Sequence, residues 1–199
     1  KIMKLSNKEE FLRRKDKKLK KIIDSNGHIK FEPKKENQFD TIVGIIISQF
    51  ISTSAANSIF KKIKIHFNTE NLKYEHFYKL TVPQIKKLGV STNKAKSIKE
   101  LSELYAQGEI IDLNLLNSNE LNERMNSIFG IGPWSVNMFE IFALGKLDIF
   151  SSKDAGLRLA MNKLKMVKEG SEWIKYEIYA ERWSPYKTIA SLHLWKMVD

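Results

Sequence analysis

Apolar side chains recur at intervals of three and four residues along most of the chain, which is the spacing of amphipathic helices. No stretch has the alternating pattern of a convincing strand, so the sequence predicts an all-α fold. Its 199 residues suit a single domain with ample length for a core. We divide that domain into a basic N-terminal helix and loop, a helical lobe, a central segment and C-terminal helices, at residues 1–37, 38–117, 118–165 and 166–199.

The central segment contains two predicted helices joined by a short glycine-rich turn. The second helix is predicted over Trp134 to Leu144, with Pro133 in its first turn and Gly145 as its stop. Between the helices, Gly130-Ile131-Gly132 supplies two residues that are free to adopt positive φ. The apolar stripe of the first helix consists of Leu121, Met125 and Ile128.

A turn of this kind presents backbone N–H groups at the N-terminus of a helix. The helix dipole favours an anion there, so the backbone at Gly130, Ile131 and Gly132 could bind a phosphate oxygen of DNA. Taken alone, the Gly-x-Gly pattern favours a plain tight turn between two core helices.

A further helix is predicted after the second one, and Asp154 lies in or just before its first turn. Ser151 or Ser152 is the expected N-cap of that helix. A carboxylate is favoured at this place by the helix dipole, so Asp154 is either a structural capping acid or a functional group.

The N-terminal region pairs a buried stripe with a strongly basic face. Ser6 and Glu9 have capping-box spacing, and one helix is predicted from there to Gly27. The one-sided positive charge of this helix indicates either a solvated surface or contact with phosphate. Its basic residues are Arg13, Arg14, Lys15, Lys17, Lys18, Lys20 and Lys21.

Residues 39–67 predict a central, buried helix followed by a second helix. The first is apolar around most of its circumference, and Ser52 or Thr53 is the expected N-cap of the second. Short helices are expected over Asn71 to Leu80 and Pro83 to Leu88, and a longer one over Asn93 to Gln107. Ser184-Pro185 suits the N-cap and first turn of the last helix.

The order of motifs in the chain resembles the helix-hairpin-helix DNA glycosylases, and more narrowly the 3-methyladenine DNA glycosylase II branch. The resemblance covers about residues 38 to 197 and implies a two-lobed helical fold with the active site in the cleft between the lobes. Its most specific parts are Gly-Ile-Gly-Pro-Trp-Ser, the Asp-x-Gly-Leu-Arg that begins at Asp154, and the Trp-x-Pro-Tyr to Leu-x-Leu-Trp ending.

The resemblance implies a role for several residues. Asp154 takes the position of the catalytic acid, and Trp134 and Trp195 take positions at which relatives stack on the flipped base. Met138 replaces an aromatic that some relatives carry in the base pocket. Without the resemblance, core packing would be the preferred role of both tryptophans.

The junction Ser48-Gln49-Phe50-Ile51-Ser52 resembles the family's Ile-x-x-Gln-x-Ile/Val-Ser motif. In relatives the residue after the glutamine, usually Gln or Leu, fills the space that the target base leaves. The resemblance therefore assigns the DNA wedge to Phe50, with Gln49 beside it, since an apolar ring can insert between base steps. Core packing of Phe50 is the alternative.

Trp134 also bears on the type of reaction. Family members that cut the DNA strand carry a lysine at this position, which forms a Schiff base. The resemblance thus implies a monofunctional enzyme of base excision repair that releases cationic alkylated purines such as 3-methyladenine and leaves an abasic site. Lys153 adjoins Asp154, but no motif assigns it the lysine's role.

The resemblance further implies no required cofactor and a structural Na⁺ or K⁺ at the hairpin. Its ligands would be the backbone carbonyls of Asn126, Ile128 and Ile131. Relatives usually have Leu-Pro before the hairpin, where this chain has Ile128-Phe129.

The amino-acid composition limits the kinds of molecule that the protein is expected to bind. The formal net charge of +11 and the isoelectric point near 9.6 favour a polyanion, with nucleic acid before anionic membrane. The sequence has no cysteine, which excludes disulfides, thiolate zinc sites and cysteine-ligated iron–sulfur clusters. It also has neither a signal-peptide pattern nor an apolar run of 18 residues.

We therefore expect damaged double-stranded DNA as the partner, no membrane, and a monomer. The expected location is the cytoplasm with the nucleoid in a bacterium or archaeon, or the nucleus in a eukaryote. Two other functions stay open: a bifunctional oxidised-purine glycosylase/lyase, and a DNA-binding protein without enzymatic activity.

Overall fold

The computed structural model describes residues 5–110 and 112–198, and the regular secondary structure in this part of the chain consists of helices, without a strand. The all-α prediction is confirmed. Within those residues, three short 3₁₀ helices cover Tyr74–His76, Leu113–Leu115 and Glu181–Trp183. The α-helices in the described residues are α1 (Asn7–Lys15), α2 (Lys17–Asn26), α3 (Gln38–Ser48), α4 (Thr53–His66), α5 (Val82–Lys86), α6 (Thr92–Ala106), α7 (Ser118–Asn126), α8 (Pro133–Phe142), α9 (Ala155–Lys163), α10 (Trp173–Ala180) and α11 (Lys187–Val198).

The chain folds into two compact units. The first unit combines the N-terminal residues up to 33 with those from 145 onward, and the second unit consists of residues 34–144. The four segments drawn from the sequence do not follow this division, because the N-terminal helices pack with the C-terminal ones. Side chains from α1, α2, α9 and α11 share one apolar core: Leu12, Leu19, Ile23, Leu157, Met161 and Leu194.

The N-terminal region forms two helices instead of the single helix predicted. The backbone of Asp16 is extended, with φ of −141°, so α1 ends there and α2 begins. The Asp16 carboxylate caps α2 by accepting the N–H groups of Lys18 and Leu19 at 2.8 and 3.2 Å. This break was missed because the apolar spacing continues through it. The predicted capping box of Ser6 and Glu9 and the stop at Gly27 are both present.

A buried carboxylate fastens α1 to α11 within the first unit. Glu9 is fully buried, and its Oε2 accepts hydrogen bonds from the backbone N–H of Ser6 at 2.7 Å and from Nδ1 of His28 at 2.8 Å. Its Oε1 accepts the N–H of Ile29 at 2.9 Å and lies 3.3 Å from Nε2 of His193 on α11. Burial alone would raise the pKa of Glu9, but these hydrogen bonds outweigh it and lower the pKa from 4.5 to about 2.

We expect Glu9→Gln to unfold more readily, with a pH signature. Because the folded pKa of Glu9 is depressed, its carboxylate contributes stability that is fully present above about pH 4.5 and is lost as the pH falls toward 2. The variant should be less stable by about 2 kcal/mol at pH 5.5, and the gap should narrow at pH 3. Urea unfolding at the two pH values measures this. Glu32→Gln, which removes an exposed carboxylate of the same unit, is the control, and a gap that does not change with pH would refute the expectation.

The second unit is built around α3, which is buried along most of its length as predicted. Its apolar side chains fill the core, and its buried Asp40 pairs with Nζ of Lys64 on α4 at 3.0 Å. Asp40 also accepts the N–H of Leu72 at 2.9 Å, which holds the following loop. Residues 71–80, predicted as a short helix, contain only the 3₁₀ turn at Tyr74–His76.

Two other local predictions differ from the structure. Asp154 itself is the N-cap of α9, in place of Ser151 or Ser152. Ser184-Pro185 precedes the last helix, which begins at Lys187, and the Ser184 hydroxyl donates to Asp148 at 2.7 Å instead of capping that helix. Within the described residues, no helix combines the length and the apolar character needed to span a bilayer.

Candidate active site and DNA-contacting elements

The predicted turn between α7 and α8 is present, although only one of its two glycines adopts a positive φ. Gly130 adopts φ of +75°, and the N–H of Ile131 donates to the carbonyl of Ile128 at 3.1 Å to close the turn. Gly132 is the extended N-cap of α8, and Pro133 occupies the first turn. Because Gly132 provides no side chain to cap the helix, the first N–H groups of α8 suit an anion such as a phosphate oxygen.

Gly130 packs closely against α6, in addition to its positive φ. A Cβ atom at this position would lie 2.5 Å from Oγ of Ser97 on α6, which is too close for two heavy atoms. The N–H of Phe129 donates to Oε2 of Glu100, also on α6, at 3.2 Å. The hairpin is therefore held against α6, a contact that the local sequence pattern did not indicate.

Gln49 holds the other side of the hairpin. Its Nε2 donates to the carbonyl of Gly130 at 2.9 Å and to Oγ of Ser135 on α8 at 3.0 Å. Its amide is therefore directed at the hairpin, whereas the wedge prediction placed Gln49 in the DNA beside Phe50. The C-terminal end of α3 is also held by Lys94, whose Nζ donates to the carbonyl of Ile47 at 2.7 Å. Burial lowers the pKa of Lys94.

Phe50 projects into solvent from a strained backbone. Its side chain is 103% exposed relative to the reference, and its φ is +58°, a value that residues with a Cβ seldom adopt. Such a conformation costs on the order of 1–2 kcal/mol and persists only where the surroundings impose it. The alternative of core packing for Phe50 is therefore wrong. An exposed aromatic ring next to the hairpin-binding Gln49 is consistent with a wedge.

We expect Gln49→Ala to loosen the hairpin. The variant loses two hydrogen bonds, which should lower stability by about 1–2 kcal/mol and weaken binding to intact and abasic duplexes to a similar extent. Thermal melts and binding titrations on the two duplexes measure these effects, with the exposed Gln107→Ala of the same unit as control. A loss of affinity confined to the abasic duplex would instead support Gln49 as part of the wedge.

Trp134 and Met138 lie one turn apart on α8. Trp134 is half-buried in the first turn, directly after Pro133, whereas Met138 is only 4% exposed. The structure thus places Met138 in the packed interior, and Trp134 is the more accessible of the two predicted pocket residues of this unit.

In the first unit, Asp154 and Trp195 are brought together from positions 41 residues apart. Oδ1 of Asp154 accepts the backbone N–H of Leu157 at 2.8 Å and the indole N–H of Trp195 at 2.9 Å. The aspartate is only 9% exposed. Two donors on one oxygen hold the carboxylate in a single orientation, which is the condition for a group that must face a developing charge.

Gly156 makes room for this arrangement and was missed as a functional position. A Cβ atom there would lie 3.2 Å from Oδ1 of Asp154 and 3.3 Å from Cδ1 of Trp195, so a larger residue would press on both groups. The only signal in the sequence was the glycine two residues after the acid in the Asp-x-Gly spacing.

Side chains from α9 and α10 hold the residues that precede Asp154. Nη1 of Arg158 donates to the carbonyl of Ser152 at 2.7 Å, and Oγ of Ser152 donates to Oε1 of Glu177 at 2.5 Å. Nζ of Lys153 lies 5.3 Å from the centre of the Trp173 ring, as expected for a cation–π contact.

Among the described residues, no group of three or more His, Cys, Asp or Glu side chains is arranged to hold a metal ion.

Comparison with known proteins places this arrangement among DNA repair proteins. Residues 43–185 match the family described as HhH-GPD superfamily base excision DNA repair protein. The chain is 28% identical over 166 residues to DNA-3-methyladenine glycosylase 1 of Schizosaccharomyces pombe, covering 81% of this chain and 73% of that protein. It is 26% identical over 188 residues to the alkylbase DNA glycosidase-like protein mag2 of the same yeast, covering 92% and 88%.

A solved structure is similar over almost the full length. The 3-methyladenine DNA glycosylase of Schizosaccharomyces pombe, in complex with abasic DNA, superposes with a TM-score of 0.87. The superposition covers 96% of each chain, at 26% sequence identity.

Proposed function

The chain belongs to the HhH-GPD superfamily of base excision DNA repair proteins, and from that premise we propose that it is a monofunctional DNA glycosylase. Its substrates are cationic alkylated purines such as 3-methyladenine in double-stranded DNA, and its products are the free base and an abasic site. The names of its relatives support the substrate class.

The observation that carries the proposal is the buried Asp154 carboxylate, held by the indole of Trp195. Cleavage of the N-glycosidic bond passes through a sugar with oxocarbenium character. A fixed carboxylate stabilises this positive charge and can orient or deprotonate the attacking water. The alkylated purine is itself cationic and leaves readily, so the reaction needs no strong general acid.

The flipped base stacks on tryptophan in this proposal. The indole N–H of Trp195 faces Asp154, so a base against the ring would lie beside the carboxylate. Trp134 belongs to the second unit, where it is half-buried at the start of α8, and its stacking role is the one that the family resemblance implies. An indole face attracts a cationic purine by roughly 0.5–2 kcal/mol, which favours alkylated over normal bases.

Strand cleavage is not part of the proposed reaction. The residue after the Gly-Ile-Gly-Pro turn is Trp134, and an indole cannot form the Schiff base that a lysine forms in the bifunctional enzymes. The nearest sequence alternative, Lys153, directs its ammonium group at the Trp173 ring.

We also propose a monovalent cation at the hairpin, held by the carbonyl oxygens of Asn126, Ile128 and Ile131. Neutral carbonyl oxygens are suitable ligands for Na⁺ or K⁺. The Ile128 carbonyl already accepts the N–H of Ile131 at 3.1 Å, and its second lone pair allows ligation. The ion would add positive charge where the hairpin meets a phosphate.

The enzyme acts as a monomer where the genome is located, in the nucleoid or the nucleus.

Base release from methylated duplex DNA tests the proposed function. We expect free methylated purine to appear in the soluble fraction while the DNA strand stays intact until alkali is added. A covalent DNA adduct trapped by borohydride would instead identify a bifunctional glycosylase/lyase. Tight duplex binding without release of any base would identify a DNA-binding protein without enzymatic activity.

A further inference from the structure

The positive charge of the protein is concentrated in the first unit. Its described residues include 19 basic and 11 acidic side chains, whereas those of the second unit include 13 and 11. Residues 13–21 alone carry seven basic side chains and one acid. These residues lie outside the segment 43–185 that matches the family.

The one acid within residues 13–21 is turned into the protein. Asp16 is only 4% exposed; its Oδ1 caps α2, and its Oδ2 accepts the indole N–H of the buried Trp183 at 3.0 Å. Leu12 and Leu19 are fully buried and hold the same stretch against the core. The arrangement leaves the basic side chains on the outside without an acidic neighbour from within the stretch.

Most of these basic side chains are not engaged by carboxylates. Arg13 is paired with Glu10 and Asp24 at 2.9 and 2.7 Å. The others are exposed, and no ion pair among the described residues includes Arg14, Lys17, Lys20 or Lys21. Their charges are therefore available to an external anion.

A second segment extends the same surface. Nζ of Lys18 donates to the carbonyl of Lys165, which places the loop after α9 beside the start of α2. Lys165 and its neighbours Lys163 and Lys168 are exposed. We name this surface the basic ridge, and it consists of Arg14, Lys15, Lys17, Lys18, Lys20, Lys21, Lys163, Lys165 and Lys168.

We propose that the basic ridge binds the phosphate backbone of undamaged duplex DNA, as a binding surface additional to the hairpin. The choice of DNA among polyanions rests on the proposed function. Lysine and arginine contacts to phosphate carry no base specificity, and they increase affinity for any sequence through release of counterions. The ridge retains the protein on intact DNA, which a protein that must find rare lesions requires.

The test compares two fourfold variants with equal reductions in charge. The ridge variant carries Arg14→Gln, Lys17→Gln, Lys20→Gln and Lys21→Gln. The control carries Lys61→Gln, Lys62→Gln, Lys86→Gln and Lys87→Gln, which are exposed lysines of the second unit. Affinity for an undamaged duplex is titrated over a series of salt concentrations, and base release is measured in single turnovers at saturating protein.

We expect the slope of log affinity against log salt to be shallower by up to about 3.6 in the ridge variant, since each of the four phosphates that the protein no longer neutralises reduces the slope by about 0.9. Its affinity should fall roughly tenfold at moderate salt, while the control changes little and the saturated rate of base release is unchanged. If the fourfold ridge variant melts early, Lys20→Gln with Lys21→Gln gives the same comparison at a smaller scale.

Equal reductions of affinity in the two variants would overturn the proposal, because they would reflect net charge alone. Weaker binding to vesicles containing phosphatidylserine, with DNA binding intact, would also overturn it and identify a membrane surface. The two proposals can fail separately. If the wild-type protein releases no base but the ridge variant still binds DNA more weakly, the proposed function is contradicted and the proposal for the ridge is supported.

Discussion

Asp154→Asn should abolish most base release while leaving the fold intact. The asparagine oxygen can still accept the N–H groups of Leu157 and Trp195, and asparagine is as good an N-cap as aspartate. What the variant loses is the negative charge that stabilises the sugar cation. We expect a single-turnover rate lower by about 10²–10⁴-fold.

Three measurements separate this loss of activity from indirect effects. Thermal melting should stay close to that of the wild type, because asparagine keeps both hydrogen bonds and the cap, and affinity for an abasic duplex should not fall. Glu169→Gln, which removes an exposed carboxylate of the same unit, should retain full activity. Base release by Asp154→Asn at nearly the wild-type rate would show that Asp154 is only a capping residue.

Phe50→Ala should slow the excision of damaged bases without lowering thermal stability. The ring is fully exposed, so its removal leaves no cavity in the core, and the melting temperature should stay close to that of the wild type. If the ring fills the space that the flipped base leaves, its removal leaves the neighbouring bases without a stacking partner. That loss destabilises the complex with the flipped base by a few kcal/mol. We expect excision from a well-paired lesion to slow by about 10–100-fold.

The dependence on the lesion is the sharper part of this prediction. A mispaired base costs less to extrude, so excision from a mispaired site should slow less than excision from a paired one. Binding to an abasic analogue should weaken more than binding to intact duplex. Leu115→Ala, which removes another exposed apolar side chain of the second unit, is the control. Equal effects on the paired and mispaired sites would rule out a wedge.

The two residues differ in how far the sequence alone could describe them. Asp154 was identified from its place in a motif, with a capping acid as the alternative, but the N-cap position itself was assigned to the serines before it. The N-cap is the last residue with an extended backbone before the helix begins. Where several polar residues follow one another, the local sequence does not show which of them takes that position. Phe50 is apolar and adjoins a buried helix, so its residue type is as consistent with the core as with solvent.

The roles of Gln49 and Trp195 were unpredictable for a different reason. Gln49 bonds to a carbonyl 81 residues further along the chain, and Trp195 bonds to a carboxylate 41 residues before it. No periodicity or spacing encodes such distant pairs. The resemblance marked both residues as belonging to functional motifs, but it could not supply the atoms that they contact.

What the sequence determined by itself is the local structure: the helical periods, the capping box of Ser6, and the turn at Gly130 with its proline. These follow from backbone preferences and from side chains within four residues of one another, which act before the chain is folded. The tertiary structure alone decided that α1 and α2 join the C-terminal helices, that Asp16 turns inward, and that Trp195 orients Asp154. Those outcomes depend on burial and hydrogen bonding between distant segments, whose free energy is realised only when the core forms.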